Sequence, residues 1–182
     1  MTLKGIPKLP LVISDVAALK IYKKLASINT KIGKLNSELA HTVINNNFIN
    51  IMSMHESLES TKIEGTQVTF DEVLEEKMDK RPSNEVKEVL NYMEALQYGY
   101  DQIKNHNMPL TSKLIKTLHS ILLKDTRGKD KHPGNFRKIQ NFIGPDNKIE
   151  HATYIPIEAQ LIDEYMTNLE YFMNGEAHRS LF

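Results

Sequence analysis

The stretch Glu85-Val86-Lys87-Glu88-Val89-Leu90-Asn91-Tyr92-Met93-Glu94-Ala95-Leu96, running on to Ile103, places apolar side chains at 86, 89, 90, 93, 96, 100 and 103. Steps of three and four put them on one face of a helix, whereas a half-buried strand would alternate by two. A helix with one apolar face must cover it, so the fold is built by packing helices. Working outward, Leu114, Ile115, Leu118, Ile121 and Leu122 repeat the pattern behind Thr111, an expected N-cap. Leu161, Ile162, Tyr165, Met166, Leu169 and Phe172 repeat it again, with Pro156 expected at the first helical position. Thr69-Phe70-Asp71-Glu72 has capping-box spacing and opens a shorter helix toward Met78. Closer to the N-terminus, Ser14 to Ile28 and Lys31 to Val43 read as two helices. Asn45-Asn46-Asn47 separates them from a helix over Phe48 to Ile63.

The region between Arg127 and Pro156 breaks the period. Gly128, Pro133, Gly134, Gly144, Pro145, Asp146 and Asn147 are turn formers. Phe142-Ile143, a turn at 145–148, and Ile149 to Ile155 predict a short β-hairpin, which must lean on the helices because two strands alone are marginal. The fold class is all-α with a β-hairpin flap at about 142–156.

Composition narrows the functions. Of 182 residues, 40% are apolar and 25% charged, the balance of a soluble globular domain. Twenty-three basic residues offset 23 acidic ones, which argues against a nucleic-acid partner despite the local run Arg127, Lys129, Lys131, Arg137 and Lys138. There is no cysteine, no signal-peptide core and no apolar run long enough to span a membrane, so a cytoplasmic protein without a membrane partner is expected. No phosphate-binding glycine loop is present, and His55-Glu56 lacks a second histidine at the spacing a zinc helix needs, so no metal site is assigned. His119, near the apolar face of its helix, reads as a hydrogen-bonded packing residue.

The helix from Phe48 ends in Glu59-Ser60-Thr61-Lys62-Ile63-Glu64-Gly65-Thr66. Gly65 suits the left-handed position that stops a helix. Glu64 then lies at the negative end of the helix dipole, where a carboxylate costs roughly 0.3–1 kcal/mol. It is either a solvated helix-end glutamate or one that awaits a cationic partner.

Ser60-x-x-x-Glu64-Gly65 resembles the inhibitory motif Ser/Thr-x-x-x-Glu-Gly/Asn of Fic-family proteins. The resemblance extends along the chain. Glu85-Val86 with Asn91-Tyr92-Met93-Glu94-Ala95-Leu96, then Leu118-His119, Arg127-Gly128, Pro133-Gly134-Asn135-Phe136-Arg137, Gln140-Asn141-Phe142-Ile143-Gly144 and Ala152-x-Tyr154-Ile155-Pro156 are similar to family blocks in the family's order. It covers about residues 45–173. What it implies is a helical Fic-like fold, with an N-terminal helical region over 1–105 carrying the inhibitory helix at about 48–64. The first part of the Fic core would occupy 106–182.

Fic enzymes transfer AMP from ATP, with Mg²⁺, to a hydroxyl of a target protein. By resemblance, Glu64 competes with the ATP γ-phosphate by pairing with the last arginine of the catalytic motif or its neighbour, Ser60 steadies the helix or helps block the site, and the flap residues Ile149, Ala152 and Tyr154 dock the target. The catalytic signature His-x-Phe-x-Asp/Glu-Gly-Asn-Gly/Lys-Arg surrounds none of His41, His55, His106, His119, His132, His151 or His178, so no catalytic residue is assigned. The chain alone is expected to be inactive and to bind neither ATP nor Mg²⁺, its partner being a missing Fic catalytic half. The competing expectation is a stand-alone, antitoxin-like module that silences a Fic enzyme in trans. Helix faces between Glu85 and Asn174 left uncovered by that missing half imply a homo-oligomer.

Overall fold

The structure, a computed structural model, describes residues 2–41, 46–77, 81–126 and 132–175. Arg127-Gly128, Lys129, Lys131 and His178, all singled out in the sequence, lie outside the described residues, as do Val43, Asn45 and Met78. Six α-helices follow one another: α1 (Asp15–Ala40), α2 (Asn46–Ile63), α3 (Phe70–Glu76), α4 (Asn84–Lys104), α5 (Ser112–Leu122) and α6 (Ile162–Met173). Short 3₁₀ turns occupy Ile149–His151 and Ala159–Leu161, and two-residue strands β1 (Leu3–Lys4) and β2 (Tyr154–Ile155) pair in parallel. Among the described residues no helix is long and apolar enough to cross a membrane.

α4 organises the molecule. Ser83 caps it by accepting from the Val86 N–H (3.3 Å), and Lys104 lies in the last turn, where a cation suits the dipole. Its apolar face buries Val86 and Val89 completely against Met54 and Leu58 of α2, Val68, and Val73 of α3, with Phe70, Leu90 and Met93 around the edge. Each such side chain contributes about 1.5–3 kcal/mol when fully buried. On its other side α4 meets α5 closely: a Cβ on Gly99 would come within 3.3 Å of the Leu118 side chain. Asn91, nearly buried, donates its side-chain amide to the carbonyls of Leu122 (3.2 Å) and Lys124 (2.7 Å), so α4 closes the C-terminal end of α5. The boundary expected near residue 105 falls between these two packed helices.

The capping box of α3 forms as read: Glu72 N–H donates to Thr69 Oγ1 (3.3 Å), and Thr69 N–H to Glu72 Oε2 (2.7 Å). Thr111 caps α5 through the Leu114 N–H (3.2 Å). Two expectations change. Residues 15–40 form one continuous helix, not two, because Asn29-Thr30 does not interrupt it: the Thr30 hydroxyl donates to the Ala26 carbonyl and stays within the helical ladder. Pro156 does not open α6. It follows β2 in extended chain, its carbonyl accepting from Gln140 Nε2 (3.0 Å), and α6 begins at Ile162 behind the 3₁₀ turn.

An N-terminal strap ties the flap to α6. Leu3 N–H donates to the Thr153 carbonyl (3.0 Å) and Gly5 N–H to that of Ile155 (2.8 Å). Asn168 of α6 exchanges two bonds with the backbone of Leu9 (2.8 and 2.7 Å), and Lys8 pairs with Glu164 beside the Tyr165 ring. Glu164 holds the Lys8 ammonium pKa above its usual value. The hairpin itself closes through Ile143, whose N–H donates to the Tyr154 carbonyl (2.8 Å) and whose carbonyl accepts from the N–H groups of Thr153 (2.8 Å) and Tyr154 (3.1 Å).

Candidate functional site: the end of the second helix

α2 stops in a Schellman motif. Gly65 N–H donates to the Lys62 carbonyl (3.0 Å) and Thr66 N–H reaches back to that of Thr61 (3.1 Å), with Gly65 at φ +90°. This closure makes Glu64 the residue that caps the helix, so its position against the dipole is set by backbone geometry. The Glu64 side chain is exposed, and no described residue pairs with its carboxylate. The nearby Lys62 is engaged elsewhere: its ammonium lies 2.6 Å from Glu59, and that contact lowers the Glu59 pKa.

Below Glu64 opens a cavity of about 560 Å³ between α2, α4 and α5. Ser60 and Glu64 line it together with Thr66, Glu88, Tyr92 and His119. Thr66, almost fully buried, donates its hydroxyl to Glu88 Oε2 (2.6 Å), which orients that carboxylate. The Ser60 hydroxyl donates to Glu56 (3.0 Å), one turn back on the same helix. His119 Nδ1 accepts the Gly134 N–H (3.0 Å), so a neutral ring carries its hydrogen on Nε2. The same bond anchors the Pro133-Gly134 turn, in keeping with a hydrogen-bonded packing role. Among the described residues, the lining carries two carboxylates, Glu64 and Glu88, and no lysine or arginine. A carboxylate placed as Glu64 is suits a guanidinium.

The flap residues separate. Ile149 is exposed at 43% and Tyr154 half-buried, but Ala152 is only 4% exposed. Ala152 packs under Gly144, where a Cβ would come within 3.1 Å of its Cα, and its carbonyl accepts from the Thr2 hydroxyl (2.8 Å). Its surroundings give it a structural part in the flap and leave Ile149 and Tyr154 as the more accessible pair. Arg137 secures the flap base by donating to the carbonyls of Ile139 (2.9 Å) and Ile157. Glu88, Tyr92 and Thr66 were not foreseen as site residues. A trace existed, since Glu88 and Tyr92 stand one helical turn apart beside the apolar stripe of α4.

The described residues thus place a glutamate-tipped helix end beside a cavity in a helical bundle that also carries a short hairpin. Residues 22–101 match the family model for the Fic/DOC family N-terminal region. The match runs from within α1 to near the end of α4, includes the whole Ser60-to-Gly65 segment, and supports Fic-family membership. No curated protein matches the chain.

Proposed function

We propose that this chain is the regulatory and target-docking portion of a Fic protein that transfers AMP from ATP to hydroxyl side chains of a target protein, with Glu64 as the inhibitory group. The observation that carries the reading is the geometry of Glu64. Its backbone is held by the Schellman closure and its side chain lines the cavity, within a segment that the Fic/DOC N-terminal match covers. A carboxylate presented from a fixed backbone position can form a bidentate arginine pair, and such a pair competes well with a phosphate for the same guanidinium. ATP and Mg²⁺ would be held by a catalytic motif outside this chain. The same presentation of Glu64 serves whether that motif is joined to this chain or belongs to a separate Fic enzyme.

Removing the carboxylate tests the proposal. In a protein that combines this chain with a Fic catalytic motif, Glu64→Gly is expected to raise incorporation of labelled AMP by roughly tenfold or more, as expected for the loss of one charge-assisted contact. Unchanged incorporation would refute the inhibitory role of Glu64.

A further inference from the structure

α1 packs against no other named element. It is 26 residues long and buries no residue. Among the described residues its local support includes the Ser14 cap, the Thr30 back-bond and an exposed Lys34–Glu38 pair at 3.8 Å. In water a helix draws most of its stability from covering an apolar face. The face is present. Ala18, Ile21, Leu25, Ile28, Ile32, Leu35 and Leu39 follow one another at intervals of 3, 4, 3, 4, 3 and 4 without interruption. From Ile21 onward these side chains are 41% to 52% exposed, since the helix shields each of them on one side only.

A straight helix drifts about 20° per heptad against such a repeat, so an unbroken 3.5-residue period stays in contact only with another helix that supercoils around it. In heptad terms Ala18, Leu25, Ile32 and Leu39 occupy one seam position and Ile21, Ile28 and Leu35 the other. We propose that α1 pairs along this seam with α1 of a second copy of the chain, as a parallel, in-register, two-stranded coiled coil. A second copy supplies the same repeat at the same length, and two-fold pairing is the commonest closed arrangement. The flanking charges agree. In the parallel pairing Lys24 faces Asn29 of the second copy and Lys31 faces Asn36, with no like charges opposed. The fully overlapped antiparallel pairing would set Lys24 beside Lys31 twice. A membrane surface suits the seam less well: α1 has no Trp or Phe to anchor it, and the unbroken heptad is a helix-pairing pattern.

Sedimentation equilibrium of the whole 182-residue chain tests this. The chain is expected to be a dimer whose dissociation constant rises by roughly tenfold or more with Ile28→Lys. Lys23→Ala, on the outer face of α1, should leave it unchanged. Because the sequence contains no cysteine, Ile21→Cys offers one thiol per chain. It is expected to form an interchain disulfide under mild oxidation, since residue 21 meets its own copy only in the parallel register. A monomer at high micromolar concentration, a dimer indifferent to Ile28→Lys, or an Ile21→Cys dimer that fails to cross-link would each overturn the proposal. So would a monomer that floats with anionic vesicles.

Discussion

α1 and α2 are neighbours in the chain and both rich in apolar residues, yet they obtain their stability by different routes. α1 has the cleaner pattern and covers none of it. α2 leaves Phe48, Ile49, Ile51 and Met52 about half exposed, and among its buried residues are Ser57 and Thr61. It packs firmly all the same, because those hydroxyls return to the helix: Ser57 donates to the Ser53 carbonyl (2.7 Å) and Thr61 to that of Ser57 (2.9 Å). A buried polar group with its bond made costs little, and the adjacent Met54 and Leu58 supply the apolar contact. Periodicity reports that a face wants cover. What covers it depends on which elements the chain brings alongside.

Truncating both helices in the same way would break or sharpen this contrast. Leu58→Ala, inside the α2–α4 core, is expected to cost about 2–5 kcal/mol in chemical denaturation. Leu35→Ala in α1 should cost something only to the extent that helices pair, so its effect should grow with protein concentration. Equal, concentration-independent losses would mean that α1 is covered within one chain. A smaller effect is expected at the polar tie between α4 and α5. Asn91→Leu removes the donor to the Leu122 and Lys124 carbonyls and should cost about 1–3 kcal/mol by thermal unfolding. Smaller still is the cap of α3, where Thr69→Ala should cost about 0.5–2 kcal/mol. The backbone N–H of Thr69, then its hydroxyl, hold the Glu72 carboxyl below its ordinary pKa. With the folded value below the unfolded one, this contribution is present above the unfolded pKa and fades as pH falls through the folded pKa. A pH series of unfolding midpoints should therefore lose part of its acid slope in Glu72→Gln.

Local chemistry was legible in the sequence. The Thr69–Glu72 box, the Thr111 cap, the helical stop at Gly65 and the buried face from Val86 to Val89 all follow from residues within a turn or two of one another. Features that depend on distant partners were not. Leu3–Lys4 becomes a strand only because Tyr154–Ile155, 151 positions further along the chain, lies beside it, and nothing in Thr2 to Gly5 signals that pairing. Two helices were expected over Ser14 to Ile28 and Lys31 to Val43, but Asn29 and Thr30, weak helix formers, stay helical, with one hydroxyl back-bond and a continuing apolar seam. At the site, Ser60 and Glu64 were visible through their motif. The cavity beneath them was not, because Thr66, Glu88, Tyr92 and His119 share no local pattern and meet only through the packing of α2, α4 and α5.

The N-terminal strap has a practical consequence. Residues 2 to 9 run from the flap strand to α6, so the flap is held from outside by a piece of chain that leads directly into α1. Anything joined to the chain ahead of Thr2, an affinity tag included, is delivered to the flap beside Ala152. A fusion there would test the flap whether or not it was meant to, and purification handles for work on target docking belong elsewhere.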